Sequence, residues 1–213
     1  MDPKSELYKY YVVHFTNKAA SSKIVGMDAV YVHMVDNYYA AGKAYWAEAE
    51  QMKTMIENAN KLRPILIGET APDLQMKTRD GKDVSLHGVK AKYTILYFWA
   101  FDCGHCKKST PIMKEIYEEW HPKGVEFFSI CTKQSKIEKC WEYIDEKEIG
   151  DWMHVTDKYM RFYKEYDITS TPTIFVLDEN KQIISKRIGA EQLGEMLKRF
   201  EAIDQQKLEE GDK

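Results

Sequence analysis

The chain has 213 residues, 44% of them hydrophobic and 31% charged, with a net charge of −3. That length holds one large domain, or an ordinary domain with a small companion, around a real core. A slightly negative chain without a basic stripe gives no electrostatic reason to expect nucleic acid, and four cysteines are too few for a disulfide scaffold. The longest apolar run, Thr94 to Phe101, is too short to span a bilayer, and the opening Met1-Asp-Pro-Lys-Ser-Glu lacks the apolar centre of a signal peptide. The expectation is a cytosolic protein, or an exported one whose leader has been removed.

The first 63 residues read as helical. Glycines are sparse, and Val30, Met34, Val35 and Tyr38, then Met52, Met55, Ile56 and Ala59, recur at helical spacing. Helices are predicted over 4–19, 27–41 and 45–62, punctuated by Gly26 and Gly42. Pro64 closes the last by disfavouring the α region at Arg63. The tyrosine-rich stripe of Tyr8, Tyr10, Tyr11, Tyr31, Tyr38, Tyr39 and Tyr45 reads as packing between these helices, with a partner-binding surface as the other reading.

Residues 64–72, with Pro64, Gly68 and Pro72, read as a linker. From 73 to 203 strands and helices alternate. Leu74 to Lys77 and Asp83 to Leu86 flank the turn Arg79-Asp80-Gly81-Lys82. A strand at 93–100, a helix at 104–121, the strand Val125 to Cys131, a helix near 136–148 and a short one near 157–165 follow. Thr173 to Leu177 and Gln182 to Arg187 form a second hairpin around Asp178-Glu-Asn-Lys181. A last helix covers Ala190 to Phe200, and 204–213 reads as a polar, fraying tail. This order gives an α/β fold with a central mixed sheet flanked by helices and a small N-terminal all-α region. Such sheets carry their sites at the carboxyl ends of the parallel strands.

Cys103-Gly104-His105-Cys106 lies at such an end, closing the run Thr94 to Phe101 and opening a helix. Two cysteines three apart at a helix start share one face and can bridge. Free backbone N–H groups and the helix dipole favour a thiolate at the first. His105, Lys107 and Lys108 add positive charge near Cys103, and Asp102 opposes them. A CxxC at a strand-to-helix turn is therefore a redox device: Cys103 attacks a disulfide, and Cys106 resolves the mixed disulfide. Half of a structural zinc site is the bland alternative, but no second chelating pair accompanies it, and no metal or other cofactor is expected.

Ile67-Gly-Glu-Thr-Ala-Pro-Asp73, Phe98-Trp-Ala-Phe-Asp-Cys-Gly-His-Cys-Lys-Lys-Ser-Thr-Pro111 and Thr169-Ser-Thr-Pro-Thr173 together resemble the thioredoxin fold over 66 to about 201. They are closest to the TlpA/ResA-like, AhpC/TSA-related thiol:disulfide oxidoreductases. The resemblance implies exchange with disulfide-containing or dithiol proteins, and a cis Thr171-Pro172 bond beside the cysteines whose neighbouring backbone pairs with a substrate strand. It also implies a proline within the active-site helix, matched by Pro111, and a Trp99 that shapes the cleft together with Gly104 and His105. A histidine between the cysteines accompanies a more oxidising couple in the family. About 30 mV matches one pKa unit of thiolate stabilisation for a two-electron couple. Relatives of this type are exported, often as lipoproteins. A periplasmic or other extracytoplasmic location follows by resemblance, with the membrane reached only through a removed leader.

Two departures concern proton transfer. Tyr97 stands where many thioredoxins keep a buried acid, and Ser109 where ResA-like members often keep a glutamate. Asp102, Tyr97, His105 through water, and bulk water are the remaining acceptors for the Cys106 proton, Asp102 being preferred. Cys131 and Cys140 read either as a second disulfide or relay thiol, or as two small buried hydrophobes. Other readings of the whole chain are a peroxiredoxin-like thiol peroxidase, which would want Pro-x-x-x-Thr-x-x-Cys at the site, and a redox-inert module presenting the helices to a partner. Copper delivery, which would want a longer cysteine spacing, is a minor one.

Overall fold

The computed structural model describes residues 2–211, with side chains described through Gln206. Three helices come first: α1 (Glu6–Ala20), α2 (Met27–Met34), which widens into a π-helical turn over Val35–Ala40, and α3 (Ala49–Leu62). Ser5 caps α1 by accepting the Tyr8 N–H at 3.2 Å. Ala19, Tyr31, Val32, Val35 and Ala59 form one small core between the helices, and Val12, Met34, Tyr39 and Ala44 another. The tyrosine stripe divides accordingly. Tyr31 and Tyr39 are buried, whereas Tyr10, Tyr11 and Tyr45 are exposed. Residues 45–48 do not join α3, because the backbone N–H groups of Lys43 and Ala44 turn back to the Tyr38 carbonyl.

The expected linker is instead tied to the sheet domain. Gly68 and Ala71 donate to the carbonyls of Ile183 and Lys181, Ile183 donates to Glu69, and Ile65 and Ala71 are buried. The edge of the last hairpin offers free backbone groups, and this segment satisfies them.

Seven strands form one sheet: β1 (Gln75–Thr78), β2 (Asp83–Ser85), β3 (Tyr93–Trp99), β4 (Val125–Cys131), β5 (Met153–Thr156), β6 (Thr173–Leu177) and β7 (Ile183–Lys186), in the order β2-β1-β5-β4-β3-β6-β7. β3, β4 and β5 run parallel, and β6 lies antiparallel to β3. Gly124, at φ +89°, turns the chain into β4 with its backbone facing Lys92, so close that a Cβ would lie 3.3 Å from the Lys92 Cβ. Its carbonyl accepts the Lys92 N–H and starts the β3–β4 pairing.

All seven residues of β3 are buried because both sheet faces are covered. Ile95, Tyr97, Trp99 and Phe127 pack under α4 (Gly104–Trp120), α5 (Ile137–Glu146) and α7 (Ala190–Gly211). Leu96, Phe98, Phe128 and Ile130 pack on the other face against Phe162 and Tyr166, near the short α6 (Phe162–Glu165).

Three elements differ from the sequence reading. β5 is an additional strand. α6 is a single turn, because residues 157–161 fold around the Asp157 carboxylate instead. The polar tail beyond 203 continues α7 to Gly211: Asp204 accepts from the Tyr93 hydroxyl at 2.5 Å and pairs with Lys92 at 2.9 Å, and Phe200 stacks on Tyr93. The last two residues of that tail lie outside the described ones.

Candidate active site

The carboxyl ends of β3 and β4 and the start of β6 meet at one edge of the sheet, where Cys103 sits as the N-cap of α4. Its sulfur accepts the Cys106 N–H at 3.3 Å, one of the helix-start donors with no partner inside the helix. The thiol lies 3.2 Å from the Thr171 carbonyl, and the Thr171–Pro172 bond is cis. Cys103 and Cys106 are free thiols, the first half-buried and the second buried. Gly104 and His105 are exposed, while Thr171 and Pro172 are half-buried.

The two thiols are pushed in opposite directions. Partial burial raises Cys103, but hydrogen bonds from the Cys106 side chain, Thr171 and the Cys106 and His105 backbone outweigh it and hold Cys103 below an ordinary thiol. Burial and the adjoining Cys103 sulfur push Cys106 up to about 12. One sulfur is thus readied as a nucleophile while its neighbour keeps its proton.

Beneath them the Tyr97 hydroxyl meets Ser109 Oγ at 3.2 Å, so the two positions where relatives keep acids are in contact here as two neutral hydroxyls. Burial pushes the Tyr97 phenol up, and it stays protonated. Ser109 and Thr110 both donate to the Cys106 carbonyl, at 3.1 and 2.8 Å, and Thr110 also contacts the Tyr143 hydroxyl. These bonds fix the first turn of α4 ahead of Pro111, which has no N–H to continue the ladder.

Trp99 does not line the cleft. It is buried against Tyr143, because the pleat of β3 turns it into the core. Asp102 is exposed and faces Lys133 at 3.5 Å, a partner that only the folded loop after β4 could reveal. Thr132 in that loop donates from its N–H and hydroxyl to the Trp99 carbonyl, at 2.7 and 3.1 Å. Cys131 and Cys140 are joined by a disulfide, with both residues buried, linking the end of β4 to α5. The described residues include no group of three or more histidine, cysteine or acidic side chains able to hold a metal ion.

Residues 66–203 match the Redoxin family. The chain belongs to that family. The thiol-disulfide oxidoreductase ResA of a Bacillus cereus strain is 28% identical over 134 residues, spanning 63% of this chain and 76% of that protein. Among solved structures, a domain of a possible thiol-disulfide isomerase from Cytophaga hutchinsonii is 38% identical, with a TM-score of 0.61 over 66% of this chain and 97% of that one. A thioredoxin-like protein from Bacteroides caccae, 17% identical, has a TM-score of 0.74 over 89% of this chain and 70% of its own. That likeness concerns the fold alone. This Redoxin-family chain is a TlpA/ResA-like thiol:disulfide oxidoreductase. No helix among its described residues is long and apolar enough to cross a membrane.

Proposed function

We propose that the Cys103-Gly104-His105-Cys106 couple exchanges disulfides with protein substrates. The observation that carries this reading is the helix-capping Cys103 sulfur, held below an ordinary thiol beside a neighbour held well above one. The Cys103 thiolate attacks one sulfur of a substrate disulfide. The substrate S–S bond breaks, a Cys103–substrate bond forms, and the other substrate sulfur leaves as a thiolate that takes up a proton. Cys106 then attacks Cys103, its proton passing to the second departing substrate thiolate. The enzyme dithiol loses two electrons and the substrate disulfide gains them. The reverse sequence oxidises a dithiol.

In this reading Thr171 and Pro172 form the wall against which the substrate segment lies, and His105 and Gly104 the open rim. Asp102, next to Cys103 and 3.5 Å from Lys133, is the acidic side chain placed to take a proton at the rim. The Cys131–Cys140 bridge stays outside the exchange, because its buried sulfurs offer no line of attack to an incoming thiolate. A bridge of this kind persists in an oxidising compartment and supports an extracytoplasmic location.

Trapping tests the proposal. Cys106→Ser leaves the nucleophile and removes the resolving thiol, so a reduced variant mixed with oxidised insulin should accumulate a covalent adduct. Mass mapping should place that adduct at Cys103 and find Cys131–Cys140 intact. An adduct at Cys131 or Cys140, or none at all, would remove the reading.

A further inference from the structure

The loop between α1 and α2, the last turn of α3 and the end of β7 bound a cavity of about 520 Å³ between the helices and the sheet domain. That volume falls within the usual range of small-molecule sites, about 300–1,000 Å³. The cavity is separate from the redox couple, since neither Cys103, Cys106, Thr171 nor Pro172 lines it.

Its lining is short of negative charge. Four cations, Lys23, Lys61, Lys186 and Arg187, meet two carboxylates, Asp28 and Asp167. Asp28 pairs with Lys186, the buried ammonium that also reaches the Ile65 carbonyl, and Asp167 takes one nitrogen of Arg187 at 3.2 Å. Lys23 and Lys61 have no carboxylate partner among the described residues, and neither have the other nitrogens of the Arg187 guanidinium. An ionised acid entering here meets charged donors without displacing an existing pair.

Apolar side chains make up much of the remaining lining. Ala19, Tyr31 and Leu62 come from the helices, and Ile24 and Val25, 73% and 41% exposed, stand on the loop between α1 and α2. That loop is built: Ser22 Oγ accepts the Ile24 N–H at 3.1 Å, the Ile24 carbonyl accepts the Met27 N–H at 3.2 Å, and Gly26, at φ +89°, makes the left-handed turn into α2. On the sheet side the Arg187 N–H donates to the Ile174 carbonyl at 2.7 Å, which holds that wall to β6. Walls fixed in this way spend little ordering entropy on an occupant.

We propose that this cavity binds a small organic acid, an ionised carboxylate on a compact apolar body. The carboxylate lies among Lys23, Lys61 and Arg187, and the body against Ile24, Val25, Tyr31 and Leu62. A bare inorganic anion would leave the apolar wall uncovered, and a neutral apolar molecule would leave the cations unanswered. Only the combination uses both. The helical region then has a role of its own: it supplies both lysines and the apolar wall, the sheet domain supplies the arginine, and an occupant bridges the two.

Calorimetric titration of the full chain with three probes tests this: 4-phenylbutyrate, its neutral amide, and acetate. The first should bind at least about tenfold more tightly than either of the others, the order expected for a charge-assisted hydrogen bond on one side and a buried ring on the other. Lys23→Gln with Lys61→Gln, both at exposed positions, should weaken 4-phenylbutyrate about tenfold and leave the amide unchanged. Backbone amide resonances of Val25, Gly26 and Arg187 should move on addition of 4-phenylbutyrate, while those of Gly104 and His105 stay in place. No binding of 4-phenylbutyrate, equal binding of its amide or of acetate, or resonance shifts confined to other parts of the chain would overturn the proposal. So would undiminished binding in the double variant. The comparison of the three probes on the parent protein decides the matter even without a folded variant.

Discussion

Cys103→Ser should reduce insulin disulfides no faster than the uncatalysed background, while its fold and its Cys131–Cys140 bridge stay intact. A hydroxyl at the α4 cap can still accept the Cys106 N–H, so the helix start survives, but it is no thiolate and forms no mixed disulfide. Cys106 cannot substitute. It is buried, and with its thiol pushed up to about 12 it keeps its proton at neutral pH. Losing the Cys103 sulfur would relieve part of that upward push, since the neighbouring thiol is one of its causes, but burial, the larger cause, remains. Turbidity of precipitating insulin B chain in excess dithiol reads the rate. Activity surviving in Cys103→Ser would mean that another sulfur carries the reaction.

The second large effect concerns how the helices are held to the sheet. Asp28→Ala should lower the unfolding free energy by about 3 kcal/mol, because removing one partner of a buried pair leaves an uncompensated charge. Lys186 on β7 is 2% exposed, and its ammonium is bonded to the Asp28 carboxylate of α2 and to the Ile65 carbonyl. Burial pushes Lys186 below the usual lysine range, and Asp28 pulls it partly back. Without Asp28 the shift deepens, so the folded variant binds fewer protons than the unfolded chain. Its stability should therefore rise as pH climbs from neutral towards about 10, where the unfolded lysine also loses its proton. Denaturant midpoints at pH 7 and 9 would show this. Asp28→Leu combined with Lys186→Met, which removes both charges, should cost far less than Asp28→Ala. A neutral Asp28→Ala would mean that the pair does not fasten the helices.

The parts of the fold that are legible in the sequence are those with long local signals. β3 announces itself by a continuous apolar run, α4 by a cysteine cap and helical spacing, and the two hairpins by their turn residues. β5 escapes such a reading because Met153-His154-Val155-Thr156 is too short to show a period of two, and its strand character comes from pairing with β4 and β1. The end of α7 escapes it because the helix continues on tertiary contacts of Tyr93 and Lys92, from a strand more than a hundred residues earlier, rather than on its own composition. The segment 64–72 differs for a similar reason: Pro64, Gly68 and Pro72 mark irregular backbone correctly, but irregular backbone can still satisfy a sheet edge.

At the site, the cysteine spacing is readable, but its surroundings are not. Lys133 meets Asp102 only once the loop after β4 is folded, Tyr97 meets Ser109 only once α4 lies on β3, and the spacing of Cys131 and Cys140 alone does not decide whether they bridge. Trp99 differs on a single point of geometry. Its place just before the site suggests the cleft, whereas strand alternation turns it inward with Ile95 and Tyr97.

The Cys103 sulfur is more readily ionised than an ordinary thiol and is reachable, while Cys106 is neither. Alkylation by iodoacetamide across pH, with each cysteine quantified by mass spectrometry in the fully reduced couple, measures this directly. Cys103 should be modified first, with a midpoint below the ordinary thiol value of about 8.5, and Cys106 should stay unmodified through that range. A Cys103 midpoint at or above the ordinary value, or faster modification of Cys106, would contradict it.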